Sequence, residues 1–363
     1  MSALKLPGSA PVNPRPKIKT GPSFFSRFIG FTGVIVLGIL IAGFIKLLVY
    51  SQNFLAPETH SREVVVSIPP GASSAQIAQL LKQKGIIRSP EAFAWALKIR
   101  SLLGKPTSLK AGEQAMDPSL DVWGTIAALH KGNFKLYPFT VPEGRTMVEI
   151  AKAVEDAGLG RASDFLALCR DPEFIASLGL KGATLEGYLF PETYSFPRGT
   201  SLKAIITAMT GQFLKVWNKH GATAAMKGMS QTEVVTLASI VEKETAKPEE
   251  RPLIAGVFLN RLEKGMRLQT DPTVIYGLDN FDGNLKRSHL ETPHPYNTYV
   301  IDGLPPGPIA SPGEESIKAV LNPAPGPFLY FVSRNDGTHH FSETLAEHNR
   351  MVNRYQRSPN RGS

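Results

Sequence analysis

Two carboxylates close the apolar run QTEVVTLASIVEKE (231–244): Glu242 and Glu244. Val234, Leu237, Ala238 and Val241 recur at three- and four-residue spacing, the apolar stripe of a 3.6-period helix that starts near Thr232 and is limited by Pro248. At about 100° per residue the two glutamates fall on opposite borders of that stripe, with Lys243 on the polar side. Glu244 lies one turn beyond Ile240 and Val241, and Glu242 one turn beyond Ala238, so Glu244 has the bulkier apolar neighbours. Burial raises a carboxyl pKa. A carboxylic acid still protonated near neutral pH can protonate a glycosidic oxygen. The same pattern also describes two solvated residues at a helix end, and periodicity alone does not choose between the glutamates.

Other residues of the right type lie nearby. LEGYLFPETYSFP (185–197) sets carboxylates beside aromatics, and Glu186 and Tyr188 are its candidates for a cleft. Sugar sites use aromatic faces against ring C–H groups and carboxylates on hydroxyls, although core aromatics with surface acids give the same composition. Residues 267–313 are rich in Pro, Gly, Asn and Thr, and a loop of that length inside a compact domain is usually functional. Gln269, Asp271, Tyr296 and Asn297 could bind N-acetyl and hydroxyl groups there; taken singly, each also reads as a turn residue. His339, His340, Glu343 and His348 are close together, but their spacing matches no zinc pattern such as H-E-x-x-H, so no metal is expected.

ASIVEKET (238–245), RLQTDPTVIYG (267–277), ETPHPYNTY (291–299) and GLPPGPIASPG (303–313) resemble the signature segments of the endolytic murein transglycosylases, the MltG or YceG-like family. LEGYLFPETY (185–194) and FLYFVSRNDGTHHFSETLAEHN (328–349) extend the likeness to roughly residues 60–350. The resemblance implies an enzyme that cuts the MurNAc–GlcNAc bond inside peptidoglycan strands and leaves 1,6-anhydroMurNAc ends. It places the catalytic acid on the second glutamate of EKET, Glu244, and implies no cofactor. It also suggests that the enzyme contacts peptidoglycan synthases and ends nascent strands. A hydrolytic muramidase and a non-catalytic glycan-binding scaffold are the competing classes.

The remaining elements must place this chemistry. Phe28–Ile45 is an uncharged, mostly apolar run, continued past Lys46 by Leu47–Tyr50, and about 20 such residues span a bilayer. Lys5, Arg15, Lys17, Lys19 and Arg27 precede it and no acid precedes Glu58, so the positive-inside rule puts the N-terminus in the cytoplasm and the bulk of the chain beyond the inner membrane. The run is long for a cleaved signal and lacks a persuasive cleavage site, which favours a single-pass anchor. Of the net charge of +9, those residues and Lys46 account for six, leaving +3 for the rest; nucleic-acid binders instead concentrate charge on a folded face. The single cysteine, Cys169, excludes an internal disulfide.

The expected class is α+β. The chain divides into a cytoplasmic tail (1–27), the anchor (28–50), a linker (51–62), a small αβ module (63–135), a larger α+β catalytic domain (136–350) and a polar tail (351–363). In the small module EVVVSI (63–68) reads as a strand, 75–84, 93–103 and 122–129 as helices, and 109–118 as turn. The family resemblance makes this module LysM-like. In the larger domain helices are expected near 146–157, 162–169, 201–219 and 253–262, and a strand over 327–333. Gly71, Ile77, Ala78 and Gly85 recur as Gly144, Ile150, Ala151 and Gly158 at a constant offset, through duplication or through repeated strand–turn–helix chemistry.

Overall fold

The computed structural model describes residues 35–43, 63–245, 247–279 and 281–357. The expected tail, linker and most of the expected anchor lie outside the described residues. Residues 35–43 are helical and exposed. Among the described residues no helix is long and apolar enough to cross a membrane. The architecture is mixed α+β, in two compact units that divide between Asn133 and Phe134.

In the first unit β1 (Val64–Ile68) leads through a turn into α1 (Ser74–Gln83), followed by α2 (Pro90–Leu102), β2 (Gly112–Met116) and α3 (Val122–Lys131). β1 and β2 pair antiparallel, from Val64 opposite Met116 to Ile68 opposite Gly112. β2 replaces the turn expected over 109–118. Its inward residues are Gln114 and Met116, only one of them apolar, so the alternation that marks a strand is missing. Gln114 is tolerated inside because its amide donates to the Lys110 carbonyl. Val66, Ile77, Leu81, Phe93, Ile126 and Leu129 close the core.

The second unit opens with the same local device. β3 (Tyr137–Thr140) turns into α4 (Met147–Asp156), and α4 matches α1 residue for residue at the offset seen in the sequence. Both helices start with reciprocal side-chain and backbone hydrogen bonds, Ser73 with Gln76 and Thr146 with Glu149. Gly71, Gly85, Gly144 and Gly158 all have φ between 68° and 76°, a backbone state that glycine adopts without strain. After α5 (Ala162–Leu168) and α6 (Pro172–Ser177), β4 (Thr193–Phe196) pairs antiparallel with β3.

The helical body follows: α7 (Leu202–Met226), α8 (Gln231–Glu244), α9 (Arg251–Glu263), α10 (Asp271–Gly277), α11 (Arg287–Glu291) and α12 (Glu314–Leu321). β5 (Tyr330–Ser333) and β6 (His339–Ser342) form a hairpin, and α13 (Leu345–Val352) ends the series. α7 runs past its expected end near residue 219. Gly221 interrupts the sequence pattern, but the Trp217 ring covers it, with Nε1 only 3.1 Å from where a Cβ would stand. α8 is the axis of this unit. Its N-cap is Ser230 rather than a residue near Thr232, and it is buried on every face from Val234 to Val241 rather than along one stripe. α7, α9, α10 and α12 all pack on it, so even Thr236 and Ser239 are inside. Ser239 accepts from the Ile309 N–H at 3.0 Å and donates to the Thr236 carbonyl at 2.7 Å.

Because α8 has no solvent face between Val234 and Val241, removing volume there leaves a cavity that few neighbours can collapse into. Leu237→Ala is expected to cost about 2–5 kcal/mol of stability, read as a lower urea midpoint; an unchanged midpoint would contradict the packing described.

Candidate active site

Glu244 is the last residue of α8, and its carboxyl reaches the floor of an open cleft of about 530 Å³. Gln269 and Asp271, also named from the sequence, line the same cleft, together with Arg261, Tyr299 and His339. The Glu244 carboxyl accepts a short hydrogen bond from the Thr270 hydroxyl. Burial pushes its pKa above the usual carboxylate range; Thr270 opposes that shift and the charge of Asp271 adds to it. Glu244 also stands where the unsatisfied carbonyls of α8 collect, at the negative end of the helix, which further disfavours its ionised form.

The loops around it are tied down before any substrate arrives. The Thr270 N–H donates to the Thr298 hydroxyl at 3.1 Å, and Thr273 and Thr298 share a hydroxyl contact at 2.8 Å. Gln269 adopts a left-handed backbone, φ 49°, with its N–H donating to the Thr298 carbonyl at 3.1 Å. Asp271 accepts from the Tyr299 hydroxyl at 2.7 Å. Arg261 is buried: its Nε donates to the Leu329 carbonyl at 2.6 Å, its Nη1 to the Leu268 carbonyl at 2.8 Å, and it lies over the Tyr330 ring. His339 is held by Glu250, with Nδ1 2.6 Å from Oε2.

Thr270, Arg261, Tyr299 and Tyr330 were not among the sequence candidates. Thr270 sits between two that were, and the one arginine inside the apolar stretch of α9 was the available signal for Arg261. Glu242 leaves the cleft altogether: it pairs with Arg251 at 3.1 Å and accepts from the Gly313 N–H and the Ser316 hydroxyl.

Four other candidates are elsewhere. Tyr188, expected at the cleft, is buried in the core, edge-on to Phe213 with its hydroxyl 3.3 Å from the Thr232 hydroxyl. The positive φ of Gly187 turns it inward; a Cβ there would sit 2.5 Å from Pro308. Asn297 is buried too. Its amide donates to the carbonyls of His289, Leu290 and Thr292, and its carbonyl accepts from the Tyr299 N–H, so it shapes the loop rather than lining the cleft. Glu186 and Tyr296 line a second cleft in this unit. Glu186 accepts from the Met147 N–H at 2.9 Å and from the Tyr276 hydroxyl at 3.1 Å, and burial pushes its pKa up to about 7. The Cys169 thiol is raised to about 12 by burial, so it is no nucleophile at neutral pH. Among the described residues no group of His, Cys, Asp or Glu is arranged to hold a metal ion.

Residues 66–354 match the model of the YceG-like family. The chain belongs to that family. It is 34% identical over 329 residues to a Bacillus subtilis protein called endolytic murein transglycosylase, covering 86% of this chain and 90% of the relative. A Streptococcus pneumoniae protein of the same name is 31% identical, and the match covers 88% of this chain and 63% of that longer relative. A crystal structure of a yceG-like protein from Listeria monocytogenes superposes with a TM-score of 0.56 at 35% identity, covering 80% of this chain and 99% of that one. The two EKET glutamates differ in their surroundings: Glu242 is locked by partners, and Glu244 lines an open cleft.

Glu186 makes the fold sensitive to pH. Its ordinary pKa is 4.5 and its folded value about 7, so the folded state holds this proton more tightly. The stabilisation is complete below pH 4.5 and is lost as pH rises through 7, about 3 kcal/mol in all. The stability difference between the wild type and Glu186→Gln, measured by urea unfolding, should shift by that amount between pH 4.5 and 7.5. Parallel pH curves would contradict it.

Proposed function

We propose that this chain is an endolytic lytic transglycosylase that cuts peptidoglycan between N-acetylmuramic acid and N-acetylglucosamine. The observation that carries the reading is Glu244: a half-buried carboxyl with a raised pKa, on the floor of a cleft, held by one hydroxyl. In that role Glu244 protonates the oxygen of the scissile bond, and the substrate's acetamido group supports the oxocarbenium-like centre. The Glu244 carboxylate then takes the proton of the C6 hydroxyl as that oxygen closes on C1. The product is a 1,6-anhydro end, and no water is consumed. Such chemistry needs one carboxyl, unlike the paired carboxyls of ordinary glycosidases.

Placement follows from the sequence. The apolar run over 28–45 and its basic flank support a single-pass inner-membrane anchor with the catalytic unit outside the cytoplasm. The order β1–α1–α2–β2 supports a LysM-like module. An acid that cuts within strands beside a membrane is suited to ending nascent strands next to the synthases that make them.

A hydrolytic muramidase is the second reading, because Asp271 is another carboxylate in the same cleft and a base there could activate water. One digestion decides both points. Intact peptidoglycan is treated with wild type and Glu244→Gln, and the products are weighed by mass spectrometry. Anhydro ends are expected from wild type, and a loss of roughly 100- to 10,000-fold in the variant. Reducing ends would favour the muramidase. An unimpaired Glu244→Gln would end the proposal.

A further inference from the structure

α2 is apolar on two sides. Phe93, Ala96 and Leu97 face the core of the first unit. On the other side Trp95, Ile99 and Leu102 follow one another four and three residues apart, a stripe about 10 Å long. Leu103 follows at the C-cap. Trp95 is 60% exposed, Leu102 79% and Leu103 66%. A helix with apolar residues all round is ordinarily covered, and this one is covered on its core side alone. The other large exposed apolar side chains of the two units, Trp123, Leu136, Val148, Met226 and Leu345, are dispersed along the chain.

Positive charge edges the stripe. Between Glu91 and Glu113 the chain holds Lys98, Arg100, Lys105 and Lys110 and no acid. The Lys98 ammonium lies over the Trp95 ring, 5.2 Å from its centre, and Lys105 is exposed just past the helix. An indole beside leucines and a long lysine stem suits a bilayer surface: the ring rests at headgroup level while the ammonium reaches the phosphates. The chain supplies proximity. The expected anchor ends near Tyr50 and β1 begins at Val64, and residues 51–63 span at most about 45 Å when fully extended. On so short a tether, a patch too small to hold lipid by itself meets the membrane in an intramolecular step.

We propose that the outer face of α2 is a second membrane contact. It docks the first unit on an anionic lipid surface through Trp95, Leu102 and Leu103, with Lys98 and Lys105 on the headgroups. The inference rests on the single-pass anchor proposed above. Two points of attachment set which side of the first unit faces the bilayer.

The test uses the full chain reconstituted in phosphatidylcholine–phosphatidylglycerol vesicles with brominated acyl chains, which quench nearby indoles. The chain has three tryptophans, Trp95, Trp123 and Trp217, so the expected anchor is silent. Wild-type emission should be quenched, and most of that quenching should disappear in Trp95→Phe. It should also be lost when Leu102→Ser and Leu103→Ser are combined, with an unchanged unfolding midpoint, since both side chains are exposed. Lys98→Glu with Lys105→Glu should abolish the difference between anionic vesicles and vesicles of phosphatidylcholine alone. Equal quenching in wild type and Trp95→Phe would overturn the inference. So would a Trp95 shielded from aqueous acrylamide yet untouched by brominated lipid, the sign of a protein partner or a second copy. A chain that floats with the vesicles while Trp95 stays unquenched sinks the contact and leaves the anchor standing. A chain that does not float with them sinks both.

Discussion

Three effects act together on the Glu244 carboxyl. It is withdrawn from water, it sits at the negative end of α8, and it has one hydroxyl to bond, that of Thr270. Each of the first two raises the free energy of the charged form, and a single neutral donor offsets only part of that. Burial remains the largest influence, so the carboxyl pKa stays raised although the Arg261 guanidinium also favours the charged form. The body of the second unit serves this balance: the helices around α8 keep its end fixed, and the Thr270–Thr298 contacts keep the donor in place.

Glu242 shows how narrow the selection is. It leaves the same helix end two residues earlier, yet meets Arg251, a backbone N–H and the Ser316 hydroxyl. Those partners come from α9 and from the segment around α12, and no periodicity within α8 could reveal them. The bulk of the neighbours favoured Glu244 without deciding the matter. The pairing of Glu242 leaves Glu244 as the one of the two that lines the cleft.

Local signals were legible where the structure is local. Gly71, Gly85, Gly144 and Gly158 marked the ends of two turn–helix units that fold alike to the residue. Signals failed where the partner is distant. β2 was hidden because one of its two inward residues is a glutamine. Tyr188 and Asn297 were named for the cleft by residue type, and both are consumed inside, one by the core and one by loop carbonyls. Glu186 and Tyr296 were grouped with Glu244 by motif, whereas the turn into α10 divides them between two spaces.

Gln269, beside Glu244, has a left-handed backbone although it is not a glycine. Such a conformation costs on the order of 1 kcal/mol or more and persists only when its surroundings enforce it. Glycine would relieve the cost but would also let the segment wander. With a side chain there, the Thr270 hydroxyl arrives at its acid already aimed and has little freedom to follow a ligand. The wall of the cleft beside Glu244 is therefore stiff at this point, whatever enters it.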